Sequence, residues 1–162
     1  MIFVATGTQF PFDRLIQYMD EWASTHTHEE EVFAQLGDGE YKPRHIQSQR
    51  FLGLDEYNEK IQQASVFISH AGMGNIISAK EQGTPIIVIN RQASLGEHRN
   101  DHQAEGLQWM GKLEGVYTAS TQDALYQHIA NRASLIVASG NSEESLLKLV
   151  NHIDSIISNW HK

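Results

Sequence analysis

The chain has 162 residues, the length of one ordinary domain, with 40% hydrophobic and 20% charged residues and a formal net charge of -8. That composition supports one continuous core and excludes a disordered or low-complexity chain. The acidic balance argues against a nucleic-acid partner, because phosphate-backbone affinity needs clustered Lys and Arg, yet a small diphosphate remains possible since it needs only local donors. With no cysteine, disulfides, thiolate catalysis and Cys-based zinc sites are excluded.

Met1 to Thr6 reads as a short buried strand that ends in Gly7, Thr8 and Gln9. Neither this start nor the longest apolar run, Pro85 to Ile89, has the length of a signal peptide or a membrane span, so a cytoplasmic protein is expected. Phe12, Leu15, Ile16, Met19, Trp22 and Ala23 then recur at helical spacing, with Pro11 suited to the first turn. Glu31 to Leu36 predicts a second strand stopped by Gly37, Asp38 and Gly39, and Ile46 to Phe51 a third.

Leu54 to Ala64 has the pattern of a helix with Asp55 as its N-cap, and Ser65 to Ser69 supplies another strand. His70 to Asn75 is a glycine-bearing turn. Ile76 to Gln82 continues as helix, Gly83 can end it in a left-handed cap, and Pro85 to Asn90 is a β-branched strand of the kind buried in parallel sheets. A loop from Arg91 to about Asn100 leads into an expected helix from Asp101 to Lys112, a last strand from Gly115 to Thr118 and a helix from Thr121 to Asn131. In the final segment, Asn141 to Trp160, Leu146, Leu149, Val150, Ile153, Ile156, Ile157 and Trp160 recur at three and four residues, and Asn141 with Glu144 resembles a capping box. This helix either packs on the sheet or docks a partner subunit.

Strands and helices alternate, which predicts an α/β fold over residues 1–162. The expected architecture is a Rossmann-like parallel sheet with helices on both faces, right-handed crossovers, and ligands at the carboxyl ends of the strands.

The chemistry concentrates in two stretches. V-F-I-S-H-A-G-M-G-N-I-I-S-A-K-E-Q-G-T-P-I-I-V-I-N runs strand, glycine turn, helix, glycine stop, strand. Gly72 and Gly74 let the backbone approach a ligand while the free N–H groups at the helix start favour a diphosphate, although a plain tight turn has the same two glycines. The turn lacks the third glycine of a dinucleotide fingerprint, which falls near Ile77 and Ser78, and no G-K-[ST] phosphate loop exists. The second stretch, R-Q-A-S-L-G-E-H-R-N-D-H-Q-A-E over residues 91 to 105, follows the next strand and belongs on the same edge. Arg91, His98 and Arg99 could meet phosphate charge, and Glu97, Asn100, Asp101 and Gln103 have the paired donors and acceptors that recognise vicinal hydroxyls; a solvated surface loop is the alternative.

His98 and His102 share a helical face, but no third ligand stands at a defined spacing, so no metal site and no cofactor are expected. Without a D-x-D triplet, a nucleotide leaving group must be neutralised by protein dipoles and cations. His26, His28 and His161 read as exposed and uninvolved.

On these residues the chain resembles the C-terminal, donor-binding half of family-28 glycosyltransferases of the two-domain GT-B fold, and in particular the split bacterial proteins of exopolysaccharide and capsule synthesis (PssE-type). The resemblance is carried by F-V-A-T-G-T-Q-F-P-F-D-R-L, I-S-H-A-G-M-G with G-T-P-I-I-V-I, and S-L-G-E-H-R-N-D-H-Q. His102, Gln103 and Glu105 match the H-Q-x-E segment of the small catalytic subunit that adds the second GlcNAc of the dolichol-linked oligosaccharide.

The resemblance implies an inverting transfer of a hexose from a UDP-sugar to a polyprenyl-diphosphate-linked acceptor. A membrane-associated partner would supply the other half and the general base, and recruit the chain to the inner face of the membrane. It implies a substrate site made of Gly7, Thr8, Ser69, His70, Gly72, Gly74 and Asn75 together with Glu97, His98, Asn100, Asp101, His102 and Gln103. Single-chain relatives carry a glutamate for the ribose on the helix after the glycine turn; that register here holds Ser78, with Glu81 one turn later. A non-catalytic binding subunit and an epimerase-like protein are the rival readings.

Overall fold

Every residue of the first strand, β1 (Ile2–Ala5), is buried, so its alternating side chains must find apolar partners on both faces of a sheet. The computed structural model, which describes residues 1–8, 10–92, 95 and 107–137, supplies them. After β1 come α1 (Asp13–Thr25), β2 (Val32–Gln35), β3 (Gln47–Gln49), α2 (Leu54–Gln63), β4 (Val66–His70), α3 (Met73–Gln82), β5 (Ile86–Ile89), β6 (Val116–Ala119) and α4 (Gln122–Ala130). Residues 107–110 are helical as well.

The strands form one six-stranded sheet in the order β3-β2-β1-β4-β5-β6, every pairing parallel. Ile2 and Val4 point to one face and pack with Leu15, Ile16, Met19 and Trp22 of α1 and Leu125 and Ile129 of α4. Phe3 and Ala5 point to the other and pack with Ile61 of α2 and Ile76 and Ala79 of α3. The period of two along the strands thus divides the core into two layers, and the expected Rossmann-like fold class holds. Between β1 and β4 the strand order reverses, which opens a crevice at their carboxyl ends.

The structure corrects several local expectations. Pro11 precedes α1, whose N-cap is Phe12, because Phe12 turns into the core and is fully buried. The N-cap of α2 is Gly53, in extended backbone, and not Asp55; Asp55 lies in the first turn, where its charge still favours the helix dipole. The third strand shortens to three exposed polar residues at the sheet's edge. Helix α3 begins at Met73 and not at Ile76, and Gly83 closes it in the left-handed conformation (φ 69°) as expected. The expected C-terminal helix at 141–160 lies outside the described residues, as does most of the expected helix from Asp101. No helix among the described residues is long and apolar enough to cross a membrane.

Candidate functional site

At the carboxyl edge of the sheet a cavity of about 500 Å³ opens at the switch point. Gly7 and Thr8 reach it from the end of β1, Gln35 from β2, His70 from β4 and Arg91 from just beyond β5. Gly72, Gly74 and Asn75 line it from the first turn of α3, and Leu52, Leu54 and Tyr57 from the entry to α2. Six of the expected site residues, Gly7, Thr8, His70, Gly72, Gly74 and Asn75, therefore meet around one space. Ser69 does not line it: the residue is fully buried and its hydroxyl donates to the His70 carbonyl at 2.8 Å. Neither Ser78 nor Glu81 reaches it. Glu97, His98, Asn100, Asp101, His102 and Gln103 lie outside the described residues.

The α3 terminus differs from the other helix starts. Its N-cap is Gly72, which has no side chain to cap the helix, and its first turn carries no acid. By contrast α1 has Asp13, α2 has Asp55 and Glu56, and α4 has Asp123 plus Thr121, whose hydroxyl accepts the Ala124 N–H at 3.1 Å. The first amides of α3 and the positive end of its dipole thus face the cavity without an acidic neighbour in their own turn, an arrangement suited to an anion.

His70 sits between two glycine backbones. A Cβ on Gly7 would come within 2.8 Å of its Cε1, and one on Gly72 within 2.6 Å of its Nε2, so both positions must lack a side chain for the imidazole to lie where it does. Tyr57 donates its hydroxyl to Asn75 Oδ1 at 2.6 Å, which turns the Asn75 Nδ2 toward His70 Nδ1 at 3.4 Å. Burial pushes the Tyr57 phenol up, so it stays protonated as a donor. From there the Asn75 amide can donate to His70 Nδ1.

Arg91, expected to meet phosphate charge, lines the cavity from a buried position. It is 4% exposed, its Nη2 donates to the carbonyls of Thr6 and, at 2.7 Å, Phe10, and its guanidinium lies 5.5 Å from the centre of the Phe12 ring. The side chain clamps the loop after β1 and places positive charge in the cavity wall. His26, expected to be exposed, is half-buried and stacks on Trp22 with centroids 4.4 Å apart. Among the described residues no three His, Asp or Glu side chains converge as a metal site would require.

Sequence reasoning missed Gln35, Tyr57 and the Leu52–Leu54 wall as site residues. Gln35 had one usable signal: a polar residue closing an otherwise apolar strand at the carboxyl edge, where parallel sheets bind ligands.

Comparison with known proteins narrows the fold to a family. The UDP-N-acetylglucosamine transferase subunit ALG13 of Mus musculus is 29% identical over 112 residues, covering 60% of this chain and 9% of that protein. The chain therefore spans less than a tenth of the curated relative it matches. A solution structure of ALG13 superposes with a TM-score of 0.59 at 19% identity, over 90% of this chain and 94% of that one. The glycotransferase of kitacinnamycin gives 0.59 at 17% identity, over 83% and 35%. A UDP-GlcNAc 2-epimerase from Neisseria meningitidis gives 0.54 at 9% identity, over 93% and 44%, so the sheet alone does not separate transferases from epimerases. The sequence pattern of the glycosyltransferase family 28 C-terminal domain does so, since it matches residues 1–137 and takes in every strand, the glycine turn and the cavity. On that match, the chain belongs to the glycosyltransferase family 28 C-terminal domain family, the Rossmann-like half of the GT-B fold.

Proposed function

We propose that the chain is the donor-binding domain of a two-component inverting glycosyltransferase that moves a hexose from a UDP-sugar to a polyprenyl-diphosphate-linked acceptor in exopolysaccharide or capsule synthesis. The observation that carries this reading is the α3 terminus, acid-free and without a side-chain cap, opening on a cavity that also holds the Arg91 guanidinium. Together they supply local positive potential on a chain whose net charge is -8. In this reading the diphosphate lies on the first turn of α3 with the His70 ring beside it, and Asp101 and Gln103 hold the sugar.

The acceptor hydroxyl attacks the anomeric carbon from the face opposite UDP. The new C–O bond forms as the bond to the phosphate oxygen breaks, and UDP leaves with the negative charge that the α3 amides and Arg91 stabilise. The hydroxyl proton passes to a general base on the partner, a membrane-associated protein that binds the lipid-linked acceptor and brings this chain to the inner face of the membrane.

Titration of UDP and UDP-sugars into the isolated chain tests the binding step; a purely structural subunit shows no saturable binding. In a reconstituted pair, Gln103→Ala is expected to reduce transfer strongly while thermal melting stays unchanged. Full transfer by that variant would remove the sugar-holding role.

A further inference from the structure

We propose that Tyr57 is a positioning residue: its hydroxyl holds the Asn75 carboxamide so that the amide N–H groups, and not the carbonyl, are presented to the diphosphate of the bound ligand. This role rests on the donor-binding reading above. Both residues line the carboxyl-edge cavity, Tyr57 from α2 and Asn75 from the first turn of α3. A carboxamide can sit either way round, and its two ends carry opposite partial charge. That turn begins with no acid and Arg91 lines the same cavity, so an anion there gains from the N–H end and loses from the carbonyl end.

The distance decides which end Tyr57 holds. Its hydroxyl oxygen lies 2.6 Å from the Asn75 side chain. O–H···O bonds run from about 2.5 to 3.0 Å and N–H···O bonds from about 2.7 to 3.2 Å, so the atom in contact is the amide oxygen and Tyr57 is the donor. Burial pushes the phenol up, which keeps that proton in place. Among the described residues the proton has no other acceptor, so turning the amide over would strand it in a largely buried site. The ring cannot follow such a turn. It meets Phe3 edge-on at 5.4 Å and Phe67 at 6.1 Å, and both phenylalanines are fully buried between the sheet and its helices. The core thus fixes the hydroxyl, and the hydroxyl fixes the amide. Asn75 Nδ2 then stands 3.4 Å from His70 Nδ1, a long contact that leaves donor capacity for a ligand oxygen.

The test titrates UDP and inorganic pyrophosphate into the full chain by calorimetry, for the wild type, Tyr57→Phe, Asn75→Ala and the double variant. Tyr57→Phe deletes one oxygen and keeps the ring against Phe3 and Phe67. It is expected to weaken UDP and pyrophosphate by the same factor, about fivefold, since the diphosphate is the part they share. In the Asn75→Ala background the same change should have no further effect, because the group that Tyr57 orients is gone. A tyrosine that only supports the fold would cost the same factor in both backgrounds. That result overturns the proposal, as does wild-type affinity in Tyr57→Phe or a loss confined to UDP. Should Tyr57→Phe lose its cooperative melt, Asn75→Asp decides the matter. It keeps an oxygen for the Tyr57 hydroxyl but puts negative charge where the N–H groups were, so pyrophosphate should bind more weakly than to Asn75→Ala; equal or tighter binding overturns the proposal. Failure of the wild type to bind either UDP or pyrophosphate instead overturns the donor-binding reading, and the positioning role with it.

Discussion

Two cavities of similar size lie at opposite ends of the sheet, about 500 Å³ at the carboxyl edge and about 570 Å³ at the amino edge, and their polar groups behave in opposite ways. At the amino edge Glu30 accepts the Met1 amine at 2.8 Å, the Ser65 hydroxyl at 2.6 Å and Arg132 Nε at 2.7 Å, while Arg132 Nη2 pairs with Glu29 at 2.9 Å. Burial works to raise the Glu30 carboxyl, but the hydrogen bonds from Arg132, the N-terminal amine and Ser65 outweigh it and hold the group at about 2. Charge there is answered within the protein. At the carboxyl edge the α3 amides and the Gln35 donors face open space. Volume does not separate the two cavities; donors left facing one of them do.

This contrast is open to direct attack, beginning where the largest effect is expected. Glu30→Ala should lower stability near neutral pH by roughly 2 kcal/mol in urea unfolding, since it removes a carboxylate held below its usual value by three donors and leaves Arg132 with Glu29 as its acidic partner. It should leave UDP affinity unchanged, and a folded variant that lost UDP would make the amino edge part of the site. Glu30 titrates lower in the folded chain, at about 2 against an ordinary 4.5. Its contribution is therefore complete above about pH 4.5 and is lost as pH falls toward 2. The stability gap between wild type and Glu30→Gln should accordingly stay flat from pH 7 to about pH 5 and then close.

At the other edge, Gly72→Ala drives a methyl to within 2.6 Å of His70 Nε2. Displacing the ring should cost about 1–3 kcal/mol, read as a tenfold to hundredfold loss of UDP affinity in calorimetry. Gly74→Ala sharpens the point, because its Cβ meets nothing within 4 Å. The helix should keep or slightly gain stability, whereas UDP should bind about tenfold more weakly if it seats on that turn. Unchanged binding would move the ligand off α3. The smallest effect belongs to Thr121→Ala, which removes the α4 cap and should cost about 1 kcal/mol in melting without touching UDP affinity.

Much of the fold was legible before any coordinates. The α1 stripe of Leu15, Ile16, Met19 and Trp22 is buried as its spacing requires, and the Gly83 stop sits in the left-handed region. Such signals are local, since a helix or a strand declares its buried face within a few residues. Asp55 was misread as a cap because capping depends on the backbone of the residue before the helix, and Gly53 adopts that extended conformation two positions ahead of the chemically obvious candidate. The glycine turn was readable as a candidate, and it lines one side of the cavity. Its opposite wall was not.

The residue order by itself determined the alternation of strands and helices, the apolar faces and the glycine turn, because each arises from neighbours along the chain. Only the tertiary structure decided that Gln35 turns its carboxamide on Leu52, that Tyr57 orients Asn75 and that Arg91 reaches the Thr6 carbonyl 85 residues away. Those contacts follow from the strand order β3-β2-β1-β4-β5-β6, which brings distant strand ends to one edge. No short-range pattern records that convergence, because the packing of both sheet faces at once sets it.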